Sequence, residues 1–239
     1  QIDHSIVGNS SAKAAAEIAV WDLYSQNCGI PLYKLLGGSR NTLVTDITIS
    51  VNAPEVMAKD TANALARGYE TLKIKVGENP ALDLARLKAV RAAAPDATIR
   101  IDANQAWTPR LAVRLLENMQ AEGLNIELVE QPVKAKDLGG LQFVTANSPV
   151  PVMADESMFS PADALKIMQL HAADYVNIKL MKCGGLSNAL RIVSAAEVYG
   201  VECMIGCMLE AKVSVTAAAH LACAKGAITL SLIHISEPT

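Results

Sequence analysis

Residues 71–104 read TLKIKVGENPALDLARLKAVRAAAPDATIRIDAN. Two short runs, 71–76 and 98–103, alternate aliphatic with polar side chains, which is the period of a strand with two unlike faces. In the first, Leu72, Ile74 and Val76 share one face and Lys73 and Lys75 the other. In the second, Ile99 and Ile101 oppose Arg100, Asp102 and Asn104. The stretch 80–94 between them carries a helical pattern, so the whole segment predicts one strand–helix–strand unit.

The pattern repeats outward from there. Further strands are predicted at 45–51, 126–131, 150–155, 175–180 and 202–207, and helices near 54–68, 108–122, 137–146, 161–170, 185–199 and 211–224. Seven consecutive units with crossovers long enough for a helix predict parallel strands, and right-handed crossovers repeated in one direction close into a TIM-like α/β barrel. A doubly wound open sheet is the competing architecture. Val176, Ile178 and Leu180 oppose Asn177, Lys179 and Met181, as in the first unit. In a barrel the aliphatic faces pack on the helices and the polar faces turn into the lumen. Such a lumen is costly unless its groups pair or bind an ion.

Five strand runs close on a charge: Lys75, Asp102, Glu130, Asp155 and Lys179, at steps of 27, 28, 25 and 24 residues. Charges at that period predict a ring at one end of a barrel rather than a solvated face. Asp102, Glu130 and Asp155 supply three hard oxygen donors, which suits an octahedral Mg²⁺ with positions left for water or substrate. No suitably spaced His or Cys points to zinc. Lys75 and Lys179 would flank the ion. A lysine works as a base near neutral pH only when it is held as the free amine, and a nearby divalent ion and Lys73 on the same face both push that way. Two bases can take a proton from one face of a carbon and return it to the other, inverting the centre.

The rest of the chain bounds this reading. A chain of 239 residues, 51% hydrophobic and 19% charged, has an ample aliphatic core, and a net charge of −3 gives no reason to expect nucleic acid or an anionic membrane as partner. Cysteines 28, 183, 203, 207 and 223 are odd in number and form no C-x-x-C pair, which predicts reduced, mostly buried thiols and a cytoplasmic location. His4, His171, His220 and His234 share no spacing and have no paired acid, so they read as ordinary surface or helix positions. Gly184-Gly185 reads as a loop-to-helix turn that favours an anion. Ser10 to Asn27 reads as an alanine-rich helix with Ile18, Val20, Trp21 and Leu23 as apolar contacts.

With these residues in view, the chain resembles the enolase superfamily, muconate-lactonizing subgroup, and is similar to its L-Ala-D/L-Glu dipeptide epimerases. The resemblance runs from about Asn9 to Thr229 through AAEIAVWDLYSQNCGIPLYKLLGG, TLKIKVG, IDANQAW, ELVEQP, MADES, NIKLMKCGG and GCMLEAKVSVTAAAHLA. Superfamily sites pair a Lys or His base with Mg²⁺, a known property of the group. The resemblance implies that Lys75 and Lys179 are the acid/base pair and that Asp102, Glu130 and Asp155 bind Mg²⁺. It implies that Lys73 touches the substrate carboxylate, that Asn104 orients the site, and that Thr48, Cys207 and Leu209 line a dipeptide. It further implies a metal-stabilised enediolate and a homo-oligomer in the intact protein.

Two departures from the family pattern set the expected domains. Residues 1–40 read as a lead-in from a truncated N-terminal capping region, and 41–229 as the barrel. Residues 230–239 resemble the in-frame translation of a transposase-type sequencing adapter. Leu232 and His234 fall where the epimerases carry a D-x-D pair for the dipeptide ammonium. The expected barrel is therefore an incomplete (β/α)7β, lacking its true eighth strand. Three functions stay open: dipeptide epimerisation; muconate-type cycloisomerisation or o-succinylbenzoate synthesis on the same framework; and, from another class, an inactive truncated fragment.

Overall fold

The computed structural model describes residues 2–233. After a short 3₁₀ turn at Ile2–His4 come helices α1 (Ser10–Cys28) and α2 (Leu32–Leu35). There follow β1 (Ile47–Ile49), α3 (Pro54–Ala66), β2 (Thr71–Lys75), α4 (Pro80–Ala93), β3 (Thr98–Asp102), α5 (Pro109–Ala121) and β4 (Ile126–Glu130). The chain continues through α6 (Leu138–Asn147), β5 (Val152–Ala154), α7 (Pro161–Gln169), β6 (Tyr175–Ile178) and α8 (Leu180–Cys183). It ends with α9 (Leu186–Tyr199), β7 (Glu202–Gly206), α10 (Lys212–Ala224) and β8 (Ile228–Leu232). The strands follow chain order from β1 to β8 in an eight-stranded sheet, the order of the TIM-like α/β class. The chain divides into two compact units.

The first unit, residues 46–157 with 169–175, holds β1 to β5 and α3 to α6. Its strands pair in parallel, with Lys73 beside Arg100 and Lys75 beside Asp102. Between β3 and β4 the register slips: Ile99 lies opposite Ile126, but Arg100 lies opposite Leu128. This bulge skips Glu127 and brings Glu130, rather than Val129, opposite Asp102. Leu72, Ile74, Ile99, Ile101 and Leu128 are fully buried. On the helices, Leu87 and Val90 of α4 and Ala112, Leu116 and Met119 of α5 are buried with them. Asn79 caps α4 by accepting from the amides of Ala81 and Leu82, just before Pro80 at the first helical position. Gly77, at φ +114°, lets the loop after β2 lie against the loop after β3; a Cβ there would meet the Ala106 Cβ at 2.5 Å.

The second unit comprises residues 1–45, 158–168 and 176 onward, and holds α1, α2, most of α7, the rest of β6, and α8 to α10 with β7 and β8. Helix α1 buries Ala14 and Ile18, four residues apart on one face. Val20 and Leu23, expected as apolar contacts, are exposed, because they lie off that narrow stripe. The anion predicted at Gly184-Gly185 is internal: the amide of Ser187, at the start of α9, donates to both carboxylate oxygens of Glu17 from α1. Gly185 has φ +128°, and any Cβ there would collide with that carboxylate.

The last strand of the expected (β/α)7β pattern is present: Ile228–Leu232 forms β8 and pairs in parallel with β7. Strand pairing uses backbone groups, and Ile228 and Leu232 bury their side chains without needing an acidic pair. The Ser231 hydroxyl donates to the Val44 carbonyl, and the Ile233 amide donates to Thr45 Oγ1 at 3.0 Å. His234, and with it most of the 230–239 segment, lies outside the described residues. Among the described residues no cysteine is in a disulfide; Cys183 and Cys203 are buried, Cys207 and Cys223 partly so, and Cys28 is exposed. Among the described residues no helix is long and apolar enough to cross a membrane.

Candidate active site

The first unit gathers its charged residues at the ends of β2, β3 and β4. Lys73 Nζ lies 2.9 Å from Asp102 Oδ2 and 2.6 Å from Glu130 Oε2. Lys75 Nζ reaches the same Asp102 oxygen at 2.7 Å and donates to Asn104 Oδ1, also at 2.7 Å. The other Asp102 oxygen accepts the backbone amide of Asn104 at 2.9 Å. Asn104 and Gln105 have φ of +42° and +70°, so the chain doubles back directly after the strand. That turn places the Asn104 amide between Lys75 and Glu156, whose Oε1 accepts from Nδ2 at 3.0 Å.

The two lysines differ in access. The Lys73 side chain is 3% exposed and that of Lys75 is 29% exposed. Burial alone would favour the neutral form of Lys73. The carboxylates of Glu130, Asp102 and Asp155 outweigh it and hold the ammonium well above the ordinary lysine range. Burial would likewise raise Asp102, but Lys73 and Lys75 hold it below the usual carboxylate range. Lys73 is thus a fixed charge, and Lys75 is the lysine that a small molecule can reach.

The donor chemistry fits a hard divalent cation. Asp102, Glu130 and Asp155 are all buried, and all three act on the Lys73 ammonium, Asp102 and Glu130 by direct contact. Among the described residues no three His, Cys, Asp or Glu side chains are spaced to hold a metal ion.

The remaining expected residues divide between the units. Thr48 on β1 is the register partner of Lys73, which puts it on the same face of the sheet. Lys179, Cys207 and Leu209 belong to the second unit. Lys179 is buried directly after β6, and its carbonyl accepts from the amides of Lys182 and Cys183 in α8. The Cys207 thiol donates to the Leu232 carbonyl at 3.3 Å. Leu209 is 97% exposed. Two features escaped the sequence reading. Glu156, inside the MADES motif, holds Asn104. Buried Arg100 pairs with Asp46 at 2.9 Å and with the bulge residue Glu127 at 2.5 Å, and its lumen-facing position was the available signal.

Comparison with known proteins bears on this arrangement. Residues 56–237 match the enolase C-terminal domain-like family, and residues 1–37 match the mandelate racemase/muconate lactonizing enzyme N-terminal domain. An L-Ala-D/L-Glu epimerase of Clostridium acetobutylicum is 61% identical over 230 residues, covering 96% of this chain and 64% of that protein. The L-Ala-D/L-Glu epimerase of Bacillus subtilis, solved as a substrate-liganded complex, superposes with a TM-score of 0.95 at 51% identity, covering 97% of this chain and 65% of the other. The dipeptide epimerase of Enterococcus faecalis, solved with Mg and L-Leu-L-Tyr, gives 0.94 at 47% identity, again over 97% and 65%. The chain spans a little under two thirds of the length of these relatives.

Proposed function

Because the chain belongs to the enolase superfamily, in its mandelate racemase/muconate lactonizing branch, we propose that the protein is a Mg²⁺-dependent isomerase that epimerises a dipeptide of the L-Ala-D/L-Glu type. Lys75 and Lys179 are the two bases: one removes the α-proton from one face and the other returns a proton to the opposite face. The observation that carries this reading is the contrast between the two lysines of K-x-K. Lys73 is locked between Asp102 and Glu130, while Lys75 is reachable and oriented by Asp102 and Asn104.

Asp102, Glu130 and Asp155 would hold the ion. Bound there, it supplies positive charge where the substrate carboxylate gains electron density. The charge balance supports a dication. A base must start as the free amine, and three carboxylates against the Lys73 ammonium then leave two negative charges. Lys73, a permanent cation beside that position, attracts the substrate carboxylate. Thr48 on the same face, and Cys207 and Leu209 in the second unit, are the proposed contacts for the rest of the dipeptide.

Dipeptides that are epimerised should lose their α-proton signal in D₂O when Mg²⁺ is present and keep it in chelator. Absence of exchange in every dipeptide and N-acyl amino acid tried would falsify the reading. Cycloisomerase and o-succinylbenzoate synthase chemistry uses the same lysine and carboxylate set. Buried Leu232, standing where an acidic residue is expected for the dipeptide ammonium, is the observation on that side. Turnover of a muconate or a succinylbenzoate precursor without dipeptide exchange would select it.

A further inference from the structure

We propose that Glu156 is a positioning residue for Lys75, acting through Asn104 by fixing which end of the Asn104 amide faces the lysine. This rests on the reading of Lys75 as one of the two bases. An asparagine amide presents an acceptor at one end and two donors at the other. Here Oδ1 faces Lys75 Nζ at 2.7 Å and Nδ2 faces Glu156 Oε1 at 3.0 Å. Only this orientation satisfies both neighbours. A flipped amide would set its NH₂ against an ammonium, or donate into the lone pair of the free amine. The second case matters most, because that lone pair must be open to take a proton from substrate. With Oδ1 toward it, the amine donates to Asn104 and Asp102 and its lone pair points elsewhere.

The Asn104 backbone does not settle the choice. Its amide is tied to Asp102 Oδ1, which fixes where the side chain starts but not which end leads. Glu156 does settle it, because a carboxylate only accepts. Its second oxygen, Oε2, is buried with no hydrogen-bond partner among the described residues. A buried oxygen without a partner is destabilising, so stability alone gives no reason for a carboxylate at this place.

The test compares Glu156→Leu, which removes the acceptor, with Glu156→Gln, which loses the same charge but can still accept from Asn104. Two readouts are needed. In D₂O, α-proton exchange is followed separately from each epimer of Ala-Glu. Glu156→Leu should slow kcat for the epimer served by Lys75 about tenfold, well within the 10²–10⁴ that general acid–base catalysis contributes. Its KM, and exchange from the other epimer, should hold, and Glu156→Gln should recover most of the loss. Independently of turnover, Lys75 is acylated at a single pH and quantified by mass spectrometry. The free amine should react more slowly in Glu156→Leu than in Glu156→Gln, because a donated N–H occupies its lone pair.

Equal labelling of Lys75 in the two variants, or equal slowing of both epimers, overturns the assignment. Lys75→Ala separates this from failure of the underlying reading. If that variant leaves both epimers exchanging at the wild-type rate, the two-base reading is at fault. If it silences one epimer while the Leu and Gln variants agree on that epimer, the role of Glu156 is at fault.

Discussion

The two units use polar side chains differently. In the first, charge meets charge: Lys73 and Lys75 with Asp102 and Glu130, Arg100 with Asp46, and Arg86 with Asp83. In the second, Arg40, Glu17 and Asn188 serve the backbone. Arg40 donates to the carbonyls of Ala222 and Lys225, Glu17 accepts from Ser187 at the start of α9, and Asn188 donates to the Cys183 carbonyl. Side chains that satisfy backbone groups complete a fold. Opposite charges buried together often contribute no more than a well-packed apolar pair would. The group at the strand ends, Lys73 and Lys75 with Asp102 and Glu130, is the one that the proposed chemistry uses.

The largest expected effect tests that contrast at its centre. Lys73→Met removes the buried ammonium that Asp102 and Glu130 share, and in chelator it should cost about 3–5 kcal/mol in urea unfolding. Mg²⁺ should restore part of that loss in the variant and add less to the wild type. A variant as stable as wild type in chelator would break the comparison. In the second unit, Gly185→Ala forces a left-handed backbone and a collision with Glu17, and should cost about 1–3 kcal/mol. Glu17→Ala should cost less in that background than alone, since the collision is already relieved. Full additivity in the double mutant would remove Glu17 as the anion at that helix start.

Asp46 and Asp102 should respond to pH in opposite senses. Burial pushes Asp46 up to about 6, against the pull of Arg100 and Lys73. A carboxyl raised on folding takes up its proton in the folded state first. Its contribution to stability therefore grows as pH falls through about 6 and levels off below its unfolded value of about 4. Asp102 is lowered instead, so its contribution is present above about pH 4 and is lost as pH falls through its folded pKa. A carboxyl ¹³C titration of Asp46 with its midpoint near that of an ordinary aspartate would contradict the first half. The smallest effect is the control: Lys88 and Glu122 form an exposed pair at 2.8 Å in the first unit. Lys88→Ala should change stability by about 0–1 kcal/mol, and a larger loss would mean that exposed pairs count as much as buried ones.

Much of this was legible in the chain. Period-2 alternation put Lys73, Lys75 and Asp102 on one strand face, and the structure keeps them there. Even the irregular spacing carried information: the step of 28 from Asp102 to Glu130 reflects the bulge at Glu127. Contacts between residues far apart in sequence were not legible. Glu17 and Ser187 are 170 positions apart, and nothing local announces that a glutamate on α1 will meet the start of α9. The Asn104–Glu156 bond depends on a left-handed turn after β3, which the IDAN motif alone does not specify. Helix α8, only four residues long, is too short to show a period. Strand β8 depends on backbone pairing and two buried apolar side chains, Ile228 and Leu232, which a search for acidic residues does not reveal.

The most direct measurement follows the Glu α-proton of L-Ala-L-Glu and L-Ala-D-Glu by ¹H NMR in D₂O with Mg²⁺, for the wild type and for Lys75→Ala. The account predicts that the wild type exchanges both epimers and interconverts them. Lys75→Ala should still exchange one epimer, and form almost none of the other. Equal exchange of both epimers by Lys75→Ala, at the wild-type rate, would contradict it.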